Sequence, residues 1–374
     1  VADSPRHALF TGGFAALEER FLAEVRALKE GDPLRPVDVL VGSNLLGVYL
    51  RRRAAEALGG VANLRFLTFI DLARERATEP DPRPPLPPLG EALLARRALD
   101  ETPEGEVFDV LRGRPSTAGL VARTAADLRG AGLSFTRFRE VLPAAAKTPD
   151  RAAFLAKVAA VLARHGELRS AFADADALLA RAAAASAAPR PEPLLVYGLY
   201  DLGGVREALL GAVAAERPVV AFVPSDGAPE EAGEGIPPVR APLFSRLLGT
   251  PPRALADAAA PPETAVVVAP SELSEAREVV REILRAVDEG VPLHRIAVLV
   301  RDPARQEPAL VAELAQRQIP FFRPAGGGFS RTPAARAALG LLELPARGGD
   351  AEALLALVDV LEGLALVPPG VRAR

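Results

Sequence analysis

Short β-branched runs alternate with helix-length segments near both ends of this chain, and that alternation limits the folds open to it. Ala8–Thr11, Val37–Val41 and Leu64–Phe69 have the length and apolar character of buried strands. Between the first two, Phe14, Leu17, Phe21, Val25 and Leu28 recur at the spacing that paints one face of a helix, and Gly31-Asp32-Pro33 stops it. A second helix runs through Leu45, Leu46, Tyr49 and Leu50 to Gly59-Gly60. Consecutive parallel strands need a crossover between them, so strands alternating with helices predict an α/β fold with a doubly wound parallel sheet. The alternation resumes after Thr264. AVVVAP leads into ELSEAREVVREILRAVDEG, then IAVLVRD, EPALVAELAQRQ and the Ile-Pro segment of IPFFRPAGGGF. Its first helix carries Leu273, Ala276, Val279, Val280, Ile283, Leu284 and Val287 on one face, so a second, incomplete α/β lobe is expected here.

The middle of the chain reads differently. EPDPRPPLPPLG at 79–90 is too proline-dense to continue a helix, and Glu91 to Ala187 is helical and alanine-rich with no strand pattern. PRPEP at 189–193 marks the return to the sheet, with strands at Leu194–Leu199 and Val219–Val223 around a helix at Val205–Ala215. A Gly/Pro/acidic loop is expected at 224–242, a linker at 249–263, and helix from Thr332 to Leu366 broken at Pro345–Gly349. The expected division is therefore 1–78 for the first part of lobe one, 79–188 for a helical insertion, 189–263 for the rest of lobe one, and 264–374 for the start of lobe two with following helices.

At 374 residues the chain suggests two or three domains, and 49% hydrophobic with 25% charged residues excludes a disordered class. No run reaches the roughly 20 apolar residues that span a bilayer, and VADSPRHALF lacks a leader's layout, so no membrane partner is expected. Zero cysteines exclude disulfides and thiolate metal sites, which fits a reducing compartment. His7, His165 and His294 lie far apart and are expected at the surface, so neither a metal site nor a cofactor is expected. The chain opens on Val1 and contains no methionine, and it is read as a piece of a longer protein. The net charge of −3 provides no global basic footprint for nucleic acid.

The chemistry expected at strand ends is missing. A phosphate-binding loop needs glycines for backbone approach, a lysine for the β- and γ-phosphates and a Ser/Thr for magnesium, as in GxxxxGK[ST]. The turn after the first strand is the place for it. Counting from Gly12, Leu17 stands at the second glycine, with Glu18 and Glu19 at the Lys and Ser/Thr positions. Leu28, Ala146 and Ala156 precede the only lysines, Lys29, Lys147 and Lys157, so no Gly-Lys pair exists. A strand-end acid pair that holds magnesium is the second requirement. In LLVYGLYDL, Tyr197 and Gly198 occupy those positions and only Asp201 remains acidic. Gly12, Glu18, Glu19, Tyr197, Gly198 and Asp201 thus describe a degenerate nucleotide site, and no catalytic residue is expected. Asp150 follows Pro149, but neither Lys147 nor Lys157 lies in an E-x-K string, so a nuclease site is not expected in this chain either.

The order at Val266–Arg323 resembles the start of the second motor domain of UvrD-like superfamily 1 DNA helicases. VGSN at 41–44 resembles the helicase T-F-T-N segment that touches single-stranded DNA, with Leu45 replacing its lysine, and TFIDL at 68–72 resembles the T-F-H-S-F segment. Arg301, closing IAVLVR, matches an arginine that reaches the nucleotide in active motors. A UvrD-like layout without its ATPase residues is similar to the RecC/AddB group, accessory subunits of bacterial helicase–nuclease complexes of the exodeoxyribonuclease V kind that process DNA double-strand breaks. LEERFLAEVRALKEGDPLRPVDVLVGSNLLGVYLRRRAAEALGGVANLRF looks like the RecC opening, and SRTPAARAALGLLEL at 330–344 looks more like AddB. The resemblance covers roughly 8–75 and 194–344 and leaves the insertion unmatched.

The resemblance implies two RecA-like lobes, a bacterial cytoplasmic setting, and a DNA-repair role that guides single-stranded or forked DNA beside a UvrD-like helicase–nuclease partner subunit, without ATP hydrolysis. Ser43, Asn44, Thr68, Phe69 and Arg301 become the DNA-binding candidates. Ser43, Asn44 and Asp71 read equally as helix caps, Phe69 as core, and Arg51-Arg52-Arg53 as a solvated helix end or a phosphate contact. Two alternatives stand beside this role: positioning DNA for a PD-(D/E)xK nuclease domain beyond residue 374, and a protein-interaction scaffold.

Overall fold

The computed structural model describes residues 7–77, 81–87, 89–102, 114–135, 137–138, 140–141, 146, 148–199, 202–225, 241–256, 264–323, 332–346 and 350–367. Asp201, Lys147, most of the loop expected at 224–242 and the AGGGF run at 325–329 lie outside the described residues. The chain divides into two compact units, Val1–Pro261 and Pro262–Arg374.

The first unit is built on strands β1 (His7–Gly12), β2 (Val37–Val41), β3 (Leu64–Leu67), β4 (Leu194–Tyr197), β5 (Val219–Pro224) and β6 (Arg253–Ala254). They form one six-stranded sheet in the order β3-β2-β4-β5-β1-β6, and every pairing is parallel. Side chains alternate across it with the period of two that a strand imposes. Leu9, Leu40, Leu194, Val196, Val219, Ala221 and Val223 face one layer, and Phe10, Val39, Val41, Leu195, Tyr197, Val220 and Phe222 face the other. Helices α1 (Phe14–Lys29) and α2 (Asn44–Leu58) cover the second face with Leu17, Phe21, Val25, Leu50 and Ala54. The first face takes α3 (Phe69–Arg76), and the doubly wound α/β class read from the alternation is what the chain forms. The linker read at 249–263 contributes β6, whose Arg253 and Ala254 pair with Phe10 and Thr11.

Between β3 and β4 run α4 (Gly90–Glu101), α5 (Pro115–Gly130), α6 (Pro149–Arg169) and α7 (Ala175–Ala184). The first three pack on one another through Ala95, Ala98, Leu99, Ala118 and Val161. In contrast, α7 buries Leu179 and Ala182 in the sheet's own core, beside α3 and α8 (Gly204–Glu216). A further helix, α9 (Ala241–Leu248), buries Phe244 and Leu248 in the same layer. Glycine sets how closely the insertion docks. A Cβ on Gly204 would stand 2.3 Å from the Ala131 carbonyl oxygen, so the end of α5 approaches the start of α8 backbone to backbone. The expectation of surface histidines fails at His165, which is fully buried on α6 with its Nε2 3.3 Å from Glu91 Oε2.

The second unit contains α10 (Glu272–Asp288), a short 3-10 turn at Leu293–Arg295, α11 (Pro303–Gln316), α12 (Pro333–Ala346) and α13 (Ala351–Gly363). Val280, Ile283, Leu314 and Ile319 make its small core. The two strands expected at Ala265–Ala269 and Ile296–Val300 are not formed, and no strand occurs among the described residues of this unit. Val266, Val268 and Leu299 are 87%, 90% and 92% exposed. A strand requires a backbone partner, and among the described residues neither segment makes that ladder. The described residues thus hold one parallel sheet, in the first unit, and helices in the second. Among the described residues, no helix is long and apolar enough to cross a membrane.

Candidate functional site

Loops diverge at one place along the carboxyl edge of the sheet. After β2 the chain turns outward to β3, and after β4 it turns the other way to β5, so β2 and β4 flank a topological switch point. In open α/β sheets that crevice is where ligands bind. A cleft of about 1060 Å³ opens there. Its floor is Val41, Gly42, Gly198 and Leu199 from the strand ends, and its walls include Phe14, Leu45, Leu46 and Tyr49 on one side. Thr68, Phe69, Ile70, Asp176, Leu179 and Arg206 line it on the others.

Local sequence explains the wall geometry. The Leu46 N–H donates to Ser43 Oγ at 3.2 Å, so Ser43 caps α2 where β2 ends. Thr68 starts α3 with a reciprocal box: the Asp71 N–H donates to Thr68 Oγ1 at 3.3 Å, and the Thr68 N–H donates to Asp71 Oδ2 at 2.9 Å. The Thr68 N–H first, and the Thr68 hydroxyl donating to Asp71 Oδ2 at 2.7 Å second, hold the Asp71 carboxyl below its usual range. Gly198 takes a left-handed conformation, φ 63°, that ends β4 at Tyr197, and a Cβ on it would stand 2.8 Å from Leu46 Cδ2. Asp176, at the start of α7, has its carboxyl pushed up by burial first and by Asp174 second, against the pull of Arg129 and Arg206.

Ser43, Thr68, Phe69 and Gly198 of the sequence-derived residues meet in this cleft. Asn44 is the exposed first residue of α2 beside it. Phe69 is only 7% exposed, belongs to the core, and has the Arg206 guanidinium 5.9 Å from its ring centre, so its ring is not a free platform. Arg301 was expected at the carboxyl end of a buried strand. It lies in the second unit, exposed, after a segment that forms no strand.

The residues read as a degenerate nucleotide site are taken up by packing where they are described. Gly12 closes β1 against Leu255, whose Cβ would lie 3.2 Å from a Cβ on the glycine. Leu17 is fully buried, and Glu19 is exposed on α1. Glu18 is 8% exposed and turned to α2, where it accepts hydrogen bonds from Arg53 Nε at 2.8 Å and from the Tyr49 hydroxyl. Tyr197, at an acid position, is 1% exposed, edge-on to Phe21 at 5.3 Å and tilted against Phe222 at 5.8 Å. Asp201 is outside the described residues. Among the described residues no group of three His, Cys, Asp or Glu is placed to hold a metal ion.

Sequence reasoning missed several lining residues, among them Phe14, Tyr49, Asp176 and Arg206. Phe14 falls on the apolar stripe of α1 and Tyr49 among the apolar residues of α2, and they are 47% and 38% exposed. Their positions within two turns of a strand's carboxyl end were the signal available. Asp176 and Arg206 carried none, because the cleft brings them together from α7 and α8.

No protein-family model matches the chain, and no curated protein matches it either.

Proposed function

We propose that this chain is the non-catalytic, helicase-like region of a RecC/AddB-type subunit, acting in DNA double-strand-break repair in the bacterial cytoplasm. It guides single-stranded or forked DNA beside a UvrD-like helicase–nuclease partner and hydrolyses no ATP. One observation carries the reading: both seats of a nucleotide motor are occupied by structural side chains at the correct sheet edge. Gly12 ends β1 and Tyr197 ends β4, with β5 between them, so a loop cradling phosphates and an acid pair holding magnesium would face each other there. In their place stand the buried Glu18 and the core ring of Tyr197. A carboxylate pinned by Arg53 repels a triphosphate, and a tyrosine in an aromatic cluster holds no metal. The first unit is read as a RecA-like lobe on the same ground.

The test is a pair of measurements on the full chain. Binding of a labelled single-stranded oligonucleotide should weaken as salt rises, and ATP hydrolysis should stay at the buffer rate with and without that DNA. DNA-stimulated turnover would overturn the reading.

A scaffold role is favoured by a separate observation in the second unit. Val266, Val268, Leu299 and Phe322 are all at least 87% exposed, an apolar surface that suits a protein partner. Tight partner binding with no affinity for DNA would select that role.

A further inference from the structure

The mouth of the cleft carries an aromatic pair that neither helix needs for its own packing. Phe14 opens α1 directly after the β1 turn, and Tyr49 lies in the second turn of α2; their ring centres are 5.8 Å apart with planes tilted by 46°. Phe14 also meets Tyr197 edge-on at 6.4 Å, which seats the ring from below. The Tyr49 hydroxyl is tied to Glu18, so its ring cannot swing away. Two half-exposed rings held in place at the rim of an apolar cleft form a rigid π surface.

The rest of the lining restricts what that surface accepts. Among the described lining residues Arg206 is the single cation and Asp176 the single carboxyl, so these walls bring no cluster of positive charge to a phosphate chain. Glu18 stands behind the rings as a buried acceptor. A nucleobase fits these conditions: it is flat, uncharged and polar only at its edges, and Asp176 and Arg206 line the same cleft. We propose that Phe14 and Tyr49 form a stacking site for one unpaired nucleobase, so that the turn where a triphosphate would sit in a motor takes the base of a passing strand instead. This inference rests on the DNA-guiding reading and extends it to a defined base position.

The experiment titrates the full chain with a labelled oligothymidylate and with an abasic oligonucleotide of the same length, at fixed salt. Phe14→Ala should weaken oligothymidylate binding by about fivefold or more and leave abasic binding unchanged. Phe14→Leu keeps apolar bulk at the start of α1 and should lose the same affinity, which separates stacking from misfolding. If the parent binds oligothymidylate and both Phe14 variants bind it equally well, the base site is wrong and the DNA-guiding reading survives. If the parent binds neither oligonucleotide, the DNA-guiding reading falls. Deoxyadenosine then decides the site alone: saturable quenching of tyrosine fluorescence that Phe14→Ala abolishes supports it, and no saturable quenching overturns it.

Discussion

Arg53 holds the buried carboxylate of Glu18 at 2.8 Å, joining α2 to α1 just where a phosphate-binding loop would carry its lysine. The same carboxylate accepts from Tyr49, whose hydroxyl titrates above its usual range because of burial first and the Glu18 bond second. Glu18→Ala leaves the Tyr49 hydroxyl without its acceptor and Arg53 with Glu56 alone, and is expected to cost about 1–3 kcal/mol. The low end is favoured because the Arg53 side chain is 39% exposed and water can replace part of the loss. Glu18→Lys should cost more than Glu18→Ala, since it sets a cation against Arg53, and it should not bring ATP binding. Urea midpoints and a nucleotide-binding titration check both statements.

Arg76 and Glu216 tie α3 to α8 with side chains only 8% and 16% exposed. Arg76 also donates to the Ala182 and Ala185 carbonyls at 3.0 and 2.7 Å, fixing the end of α7 to the same point. Removing one partner of a buried pair strands the other, so Arg76→Ala should lower stability by about 3–5 kcal/mol. The bond from Arg76, helped by the Ala187 N–H, depresses the Glu216 pKa. Its folded value lies below its unfolded one, so the contribution is complete above roughly pH 5 and declines as pH falls through the folded value. Arg76→Ala should flatten that part of the acid slope in urea melts at stepped pH.

His165 titrates below its usual range because burial disfavours its charged form, with Glu91 pulling the other way. The unfolded chain then binds the proton more readily, and stability is lost as pH falls below about 6.5. His165→Gln removes the titrating group, so the drop in melting temperature between neutral and mildly acidic buffer should shrink. An equal drop in parent and variant would exclude His165 as its source.

Two glycines should resist substitution for different reasons. Gly198→Ala places a side chain at φ 63° against Leu46 and should cost about 1–2 kcal/mol or more. Gly204→Ala drives a methyl into the Ala131 carbonyl. The end of α5 must then move off α8, so limited proteolysis should cut the insertion faster while leaving the sheet intact.

The first unit was legible because its signals are local and mutually consistent. Val37–Val41 and Val219–Val223 read as strands from composition, and Leu17, Phe21 and Val25 marked the buried stripe of α1. The same reasoning failed at Ala265–Ala269 and Ile296–Val300, whose residues are equally strand-like. A strand exists only when another backbone pairs with it, and no stretch of sequence specifies its own partner.

Residue order alone dictated the absence of a phosphate-binding loop, since a missing Gly-Lys pair does not depend on packing. It also dictated a parallel sheet, because alternating strands and helices leave few other ways to cross over. Tertiary structure decided that Glu18 and Tyr197 became structural, that His165 went inside, and that Phe14, Tyr49, Asp176 and Arg206 share one cleft. Those outcomes depend on which helices meet across a switch point between β2 and β4. Their residues lie far apart along the chain, where the periodicity of any single segment carries no information about its neighbours in space.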